Sequence, residues 1–248
     1  MGLLIKTGST TICIDYFASE MEGRLKEPPI PAEELTGIDV FIGTHDHVDH
    51  IDHGAWKIWA KANPDAKFIF PAKHMDKVLA DGIIKSNAIG LNDGGSYEIG
   101  DVTIHAVAAS HEFPDRGDDG LYPYLQYIIE ANGIRIHHAG DTVRYEGMLS
   151  KIKSFGDIDV QLLPINGRDA MRYRNNWIGN MTYQEAADLA GEVSPSLVIP
   201  GHWDMFELNG EDPERFADYI DAKYGKKIEC RIPKEMEDIV IEKERSNG

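Results

Sequence analysis

The stretch "GTHDHVDHIDH", Gly43 to His53, follows the apolar run "DVFI" and places four histidines and three aspartates in eleven residues. A short continuous apolar run of this kind reads as a buried strand. The polar cluster therefore sits where a strand leaves the sheet. In an extended segment, side chains two apart point the same way. His45 and His47 are thus placed to reach one ion. Asp49 and His50, where the chain turns toward a helix, would more naturally reach a second. Neutral imidazole and carboxylate suit zinc, manganese or iron. The bland alternative is a chance collection of polar residues in a loop.

Four ligands from one loop cannot close two coordination spheres, so the metal reading demands partners at other strand ends. Three segments supply them. "VTIHAVAASHE" places His111 just beyond a strand, "IRIHHAGDT" places Asp141, and "LVIPGHWDMF" places His202. Each follows a small residue (Ser110, Gly140, Gly201) that lets the backbone crowd a site. Functional groups of α/β proteins gather at strand ends. The remaining histidines read differently: His53 as a surface or supporting residue one turn into a helix, His74 and His105 as ordinary, and His137 and His138 as strand residues that are not ligands. Asp46 is positioned to orient a helix N-terminus or a neighbouring imidazole. Trp56 and Trp59 read as core.

Working outward, "LLIKTG" and "TTICIDYF" read as strands joined by a Gly-Ser-Thr turn. "EPPIPAEEL" reads as a loop into a short helix. "HGAWKIWAKAN" and "PAKHMDKVLADG", the latter with proline at its start, read as helices flanking the strand "KFIF". The middle holds two hairpins, one turning at Gly100-Asp101 and one at Asn132-Gly133, the strongest short-range hairpin signal. "SFGDIDVQLLPI" and "SLVIPGH" are further strands. "TYQEAADLAGEV" opens with Thr182 and Glu185 at capping-box spacing. "DPERFADYIDAKYG" carries Asp212 as N-cap, Pro213 at the first helical position and Gly225 as C-cap. This alternation predicts one mixed α/β domain with strands inside and helices outside.

The 248 residues include 42% apolar residues, enough for a sizeable core, and carry a formal net charge of −17. That charge argues against binding nucleic acid or an anionic membrane. A bound metal pair still permits an anionic substrate, because it dominates the local field. No run approaches a membrane span, the start lacks signal-peptide layout, and Cys13 and Cys230 make no disulfide framework. A cytoplasmic protein is expected. Against the acidic background, "GRDAMRYR" gathers Arg168, Arg172 and Arg174 between the Asp141 and His202 strands. Planar guanidinium suits phosphate. With Asn166, Asn180 and Tyr173 as neutral neighbours, this segment is the expected substrate-binding region.

The combination resembles the metallo-β-lactamase superfamily. "PINGRDAMRYRNNWIGNMTYQEAADLAG" and "PGHWDMF" resemble, more narrowly, the L-ascorbate-6-phosphate lactonase family. The resemblance covers nearly the whole chain. It implies an αββα sandwich over residues 1–248 with metals at its rim. It implies that His45, His47 and His111 bind one ion, that Asp49, His50 and His202 bind the other, and that Asp141 bridges them. It leans toward Mn²⁺, whereas affinity order favours Zn²⁺; one or two divalent ions are expected. It implies a homo-oligomer. Members of that family carry a strand and further residues ahead of the position of Gly2, so the N-terminal strand is expected to be incomplete here.

The expected chemistry is hydrolysis of a phosphorylated sugar-acid lactone, L-ascorbate 6-phosphate, by a metal-activated hydroxide. Asp49 is the carboxylate placed to pass a proton, and the phosphate is an unreactive handle. No Gly-x-Ser-x-Gly nucleophile elbow is present. A phosphodiesterase acting on cyclic nucleotides or other small phosphoesters is the enzymatic alternative. A non-catalytic metal-binding scaffold is the other.

Overall fold

A computed structural model describes residues 1–242; residues 243–248 of the span read as one domain lie outside it. The first sheet contains β1 (Leu3–Lys6), β2 (Thr11–Ile14), β3 (Val40–Ile42), β4 (Lys67–Pro71) and β5 (Ala88–Leu91), in that spatial order. The second contains β6 (Ser96–Ile99), β7 (Val102–Ala108), β8 (Leu125–Ala131), β9 (Ile134–His138), β10 (Val160–Pro164), β11 (Leu197–Gly201) and β12 (Glu229–Cys230), again in sequence order across the sheet. β2 to β5 run parallel, as do β9 to β12, while β6 to β9 form an antiparallel meander.

Period-two alternation makes each sheet apolar on both faces. Ile12, Ile14, Val40, Ile42 and Ile69 meet Ile104, Ala106, Leu125, Tyr127 and Ile129 between the sheets. On the outer face of the first sheet, Phe41, Phe68 and Phe70 pack under α1 (His53–Ala62) and α2 (Met75–Ala80). Trp56 and Trp59 of α1 are buried there, as their helical spacing predicts. The outer face of the second sheet packs against α3 (Met148–Lys153), α5 (Tyr183–Val193) and α6 (Pro213–Tyr224). A short α4 (Ala170–Arg174) lies in the arginine-rich connection. The result is the expected αββα sandwich.

The local signals hold where backbone chemistry is strong. The hairpin turn has Asn132 at φ 53° and Gly133 at φ 77°. Thr182 and Glu185 form a complete capping box, and Asp212 and Gly225 cap α6. Differences arise in short or context-dependent pieces. The helix expected from Pro71 starts at Met75 after a 3-10 turn, and Pro71 instead ends β4. β5, α3, α4 and β12 lack a strong period in their sequences and form because neighbours complete them. His53 is the first residue of α1, with Asp52 as the cap accepting from the amide of Ala55.

One rim matters for function. β3, β7, β9 and β11 all end on it. The sheets are stitched there by the Leu125 amide donating to the Thr44 carbonyl at 2.9 Å. Among the described residues, no helix is long and apolar enough to cross a membrane.

Candidate metal centre

Three groups of side chains converge at this rim with ligand atoms within 4.8 Å of one another: His45, His47 and His111; His45, His50 and Asp141; and Asp49, His50 and His202. The structure thus brings together all seven residues singled out from four separate segments. Nε2 of His45 lies 2.9 Å from Nδ1 of His47. Two imidazole lone pairs that close require a proton or a shared cation between them. Asp141 stands in the middle. Its Oδ1 is 3.2 Å from His50 Nε2, and its Oδ2 is 3.3 Å from His202 Nε2 and 3.6 Å from His111 Nε2. Asp49 Oδ2 lies 3.2 Å from His202 Nε2 and 3.5 Å from His50 Nε2.

The second ring nitrogens explain why the first ones face inward. His50 Nδ1–H donates to Asp15 Oδ2 at 2.7 Å. His111 Nδ1–H donates to the Gly179 carbonyl at 3.0 Å. The Thr44 hydroxyl, itself donating to Asp15 at 2.8 Å, sits 3.1 Å from His45 Nδ1. Each bond fixes a tautomer whose free lone pair points at the site. His50 Nε2, Asp141 Oδ1 and His202 Nδ1 are buried without a hydrogen-bond partner. Buried polar atoms are normally paired. Two of these three aim into the same space, which a divalent cation would satisfy with this nitrogen and carboxylate donor set.

Electrostatics reinforce that fit. Burial, together with neighbouring His50 and His47, pushes His45 well down, and burial lowers His111 to about 4. Both imidazoles therefore stay neutral, the ligating form. Burial also opposes charge on His50, but Asp141, Asp15 and Asp49 override it and raise its pKa well above the usual value; a divalent cation bound there would take the place of the Nε2 proton. Burial likewise opposes ionisation of Asp49 and Asp141. The facing histidines prevail and hold both carboxyls well below the usual range. The pocket gathers carboxylates and imidazoles whose charges hold one another in place, the donor groups a divalent cation would take.

The arginine segment is arranged differently from a free anion clamp. Arg168 forks onto Glu185, with Nη1 2.6 Å from Oε2 and Nη2 2.8 Å from Oε1. Arg172 pairs with Asp169 and donates to Asn209 Oδ1 at 3.3 Å and to the Gly210 carbonyl at 2.6 Å. Arg174 is exposed, and its guanidinium makes no hydrogen bond or ion pair among the described residues. Asn180 and Asn166 are buried. Asn180 Nδ2 donates to Asp141 Oδ2 at 2.9 Å and to Asn166 Oδ1 at 3.0 Å; Asn166 Nδ2 donates to Asn209 Oδ1 at 3.0 Å. These two amides support the aspartate. Tyr173 is exposed on α4.

Other supporting residues escaped the sequence reading. Asp15 directly follows β2 in "TICID", and a carboxylate just beyond a buried strand was the available signal. Gly179 contributes only a carbonyl, which no side-chain pattern reveals. His53 does more than sit on a surface: its ring joins Asp81 on one side and Asp46, 2.7 Å from Nε2, on the other. Asp46 also pairs with Lys77. Burial of Asp46 is outweighed by His53 and Lys77, which lower its carboxyl to about 2.

Comparison with known proteins settles the family. The β-lactamase superfamily domain matches residues 10–203. The chain belongs to this superfamily. Similar relatives include UPF0173 metal-dependent hydrolases. The one from Thermococcus kodakarensis is 31% identical, covering 87% of both chains. The one from Pyrococcus furiosus is 28% identical with the same coverage. Solved structures of the same fold include Igni18, described as a novel metallo hydrolase, from Ignicoccus hospitalis. It has TM-score 0.72 and 23% identity, covering 94% of this chain and 91% of that one. A possible metal-dependent hydrolase from Veillonella parvula has TM-score 0.75 and 16% identity, covering 97% and 96%.

Proposed function

We propose that this superfamily member is a metal-dependent hydrolase that opens a lactone, and that the lactone is a phosphorylated sugar acid of the L-ascorbate 6-phosphate type. The observation that carries the hydrolase reading is the convergence of His45, His47, Asp49, His50, His111, Asp141 and His202 on one space, where His50 Nε2 and Asp141 Oδ1 are buried without a hydrogen-bond partner. His45, His47 and His111 would hold one ion, Asp49, His50 and His202 a second, and Asp141 both. Divalent ions bound there would supply Lewis acidity toward a carbonyl oxygen and lower the pKa of water toward neutrality. The donor set accepts Mn²⁺ as readily as Zn²⁺.

The chain's own residues do the rest. Asp49 is the least enclosed carboxylate of the cluster, its side chain 18% exposed. It is the group placed to accept a proton from water and return one to the leaving alkoxide. Asp141, restrained by Asn180, fixes the spacing of the two halves of the site. The lactone and its phosphate come from the likeness of "PINGRDAMRYRNNWIGNMTYQEAADLAG" to the lactonase family. Arg174 is the guanidinium left free to meet such a phosphate. Residues 1–248 are read as one domain that assembles into a homo-oligomer, works in the cytoplasm and has a small molecule as its partner.

The test is hydrolysis of phosphorylated lactones, plain lactones and small phosphoesters by one preparation with Mn²⁺ or Zn²⁺ added. Ring opening should dominate, Asp49→Asn should abolish it, and Arg174→Ala should raise KM for the phosphorylated lactone alone. Turnover confined to phosphoesters would replace this reading with the phosphodiesterase one. Equal KM for phosphorylated and plain lactone would remove the phosphate handle.

A further inference from the structure

The "NGR" segment has a second use, which rests on the metal-centre reading above. We propose that Arg168 is a positioning residue for the metal centre, acting through Gly179 and Asn180 on His111 and Asp141. Arg168 Nη1 donates to the Asn180 carbonyl at 3.0 Å while both terminal nitrogens are held by Glu185. Glu185 is in turn fixed by the Thr182 amide at 2.9 Å, inside the capping box of α5. The helix start, the guanidinium and the 179–180 backbone are one connected unit.

That unit touches two metal-ligand candidates at once. The Gly179 carbonyl accepts from His111 Nδ1, and the Asn180 side chain donates to Asp141 Oδ2. The Gly179 amide donates to Glu112 Oε1 at 2.9 Å, so the residue after His111 is tied to the same dipeptide. The Arg168 stem also packs flush on Gly179. A β-carbon there would fall 2.3 Å from Arg168 Cβ. Loss of the guanidinium frees the Asn180 carbonyl and leaves Glu185 without its partner. Both changes loosen the dipeptide that aims His111 and Asp141.

The same geometry separates this role from substrate binding. The end-on fork of the guanidinium is taken by Glu185, and Nη1 also donates to the Asn180 carbonyl, which leaves only the Nε edge. A phosphate could take Arg168 end-on only by displacing Glu185.

The experiment compares the wild-type protein with Arg168→Ala, Arg168→Lys and Glu185→Gln. It measures Mn²⁺ affinity by calorimetry, the visible spectrum of the Co²⁺-loaded protein, and KM at saturating metal. Partners that orient metal ligands are worth about 10–100-fold in affinity, and a residue one step farther out should lie near the low end. Arg168→Ala should lose about tenfold in Mn²⁺ affinity and alter the Co²⁺ bands, with KM changed less than about twofold. Arg168→Lys should recover part of the loss. Should Arg168→Ala not fold, Glu185→Gln, which keeps a capping box, should show a smaller loss of the same kind. Unchanged affinity and Co²⁺ bands would overturn the proposal, as would a raised KM with metal binding intact. A wild-type protein that takes up neither ion would sink the metal-centre reading itself, and this inference with it.

Discussion

His50 Nδ1 lies 2.7 Å from Asp15 Oδ2, across 35 residues of chain and the junction of β2 with β3. Both side chains are buried. Asp15 also accepts from the Thr44 amide and hydroxyl, each at 2.8 Å. One carboxylate therefore sets the ring orientation of His50 and the start of the histidine-rich loop. Replacing Asp15 by Asn puts a donor where two donors already point. Asp15→Asn should weaken divalent-metal affinity by roughly tenfold or more. Calorimetric titration with Mn²⁺ or Zn²⁺ measures it, and an affinity equal to wild type would refute the orienting role.

Chelation should have a thermal as well as a catalytic signature. A ligand that binds only the folded state stabilises it by about 2.7 kcal/mol at one hundred times its Kd. The described rim concentrates buried carboxylates and lone pairs, so the metal-free protein should melt lower. Added Mn²⁺ or Zn²⁺ should raise Tm in a concentration-dependent way. His111→Ala and Asp141→Asn should blunt the rise. A melting temperature indifferent to EDTA and to added metal contradicts the ligand assignment.

His53 makes a pH-dependent contribution to stability. Hydrogen bonds that His53 donates to Asp46 and Asp81, outweighing partial burial, raise its pKa to about 9. Its folded value thus exceeds the roughly 6.5 of an unfolded chain. The linked stabilisation is fully present below about pH 6.5 and disappears as pH rises through about 9. His53→Gln should accordingly lower Tm more at pH 6 than at pH 10. Melting curves at the two values check this, and a pH-independent difference would rule it out.

The β8–β9 turn offers a control remote from the rim. Gly133 has φ 77°, and nothing lies within 4 Å of the place a β-carbon would occupy. An alanine there meets no neighbour but is strained by its own backbone. Gly133→Ala should cost about 1 kcal/mol of stability and leave metal affinity untouched. Denaturant melts and metal titrations on the same sample separate the two effects.

Much of this protein is legible before folding. The apolar runs, the Asn132-Gly133 turn, the Thr182–Glu185 capping box and the Asp212–Gly225 caps depend on neighbours within a few residues. So does the pairing of His45 with His47, since alternate side chains on an extended segment share a face. Ligand residues carry their chemistry with them, and strand ends announce where they emerge. That is why His111, Asp141 and His202 stand out as candidate ligands in their own segments.

Tertiary structure alone decided the supporting groups. Asp15 orients His50, the Gly179 carbonyl orients His111, and Asn180 restrains Asp141, each across a gap in sequence that no local pattern encodes. It also decided the fate of the arginines. Composition identifies a guanidinium suited to phosphate, but only packing shows that Arg168 is committed to Glu185 and Arg172 to Asp169 and Gly210 while Arg174 stays free. Charge and donor geometry are properties of a residue. Whether those donors are available depends on the partners that folding brings within three ångströms or so, a hydrogen bond's reach.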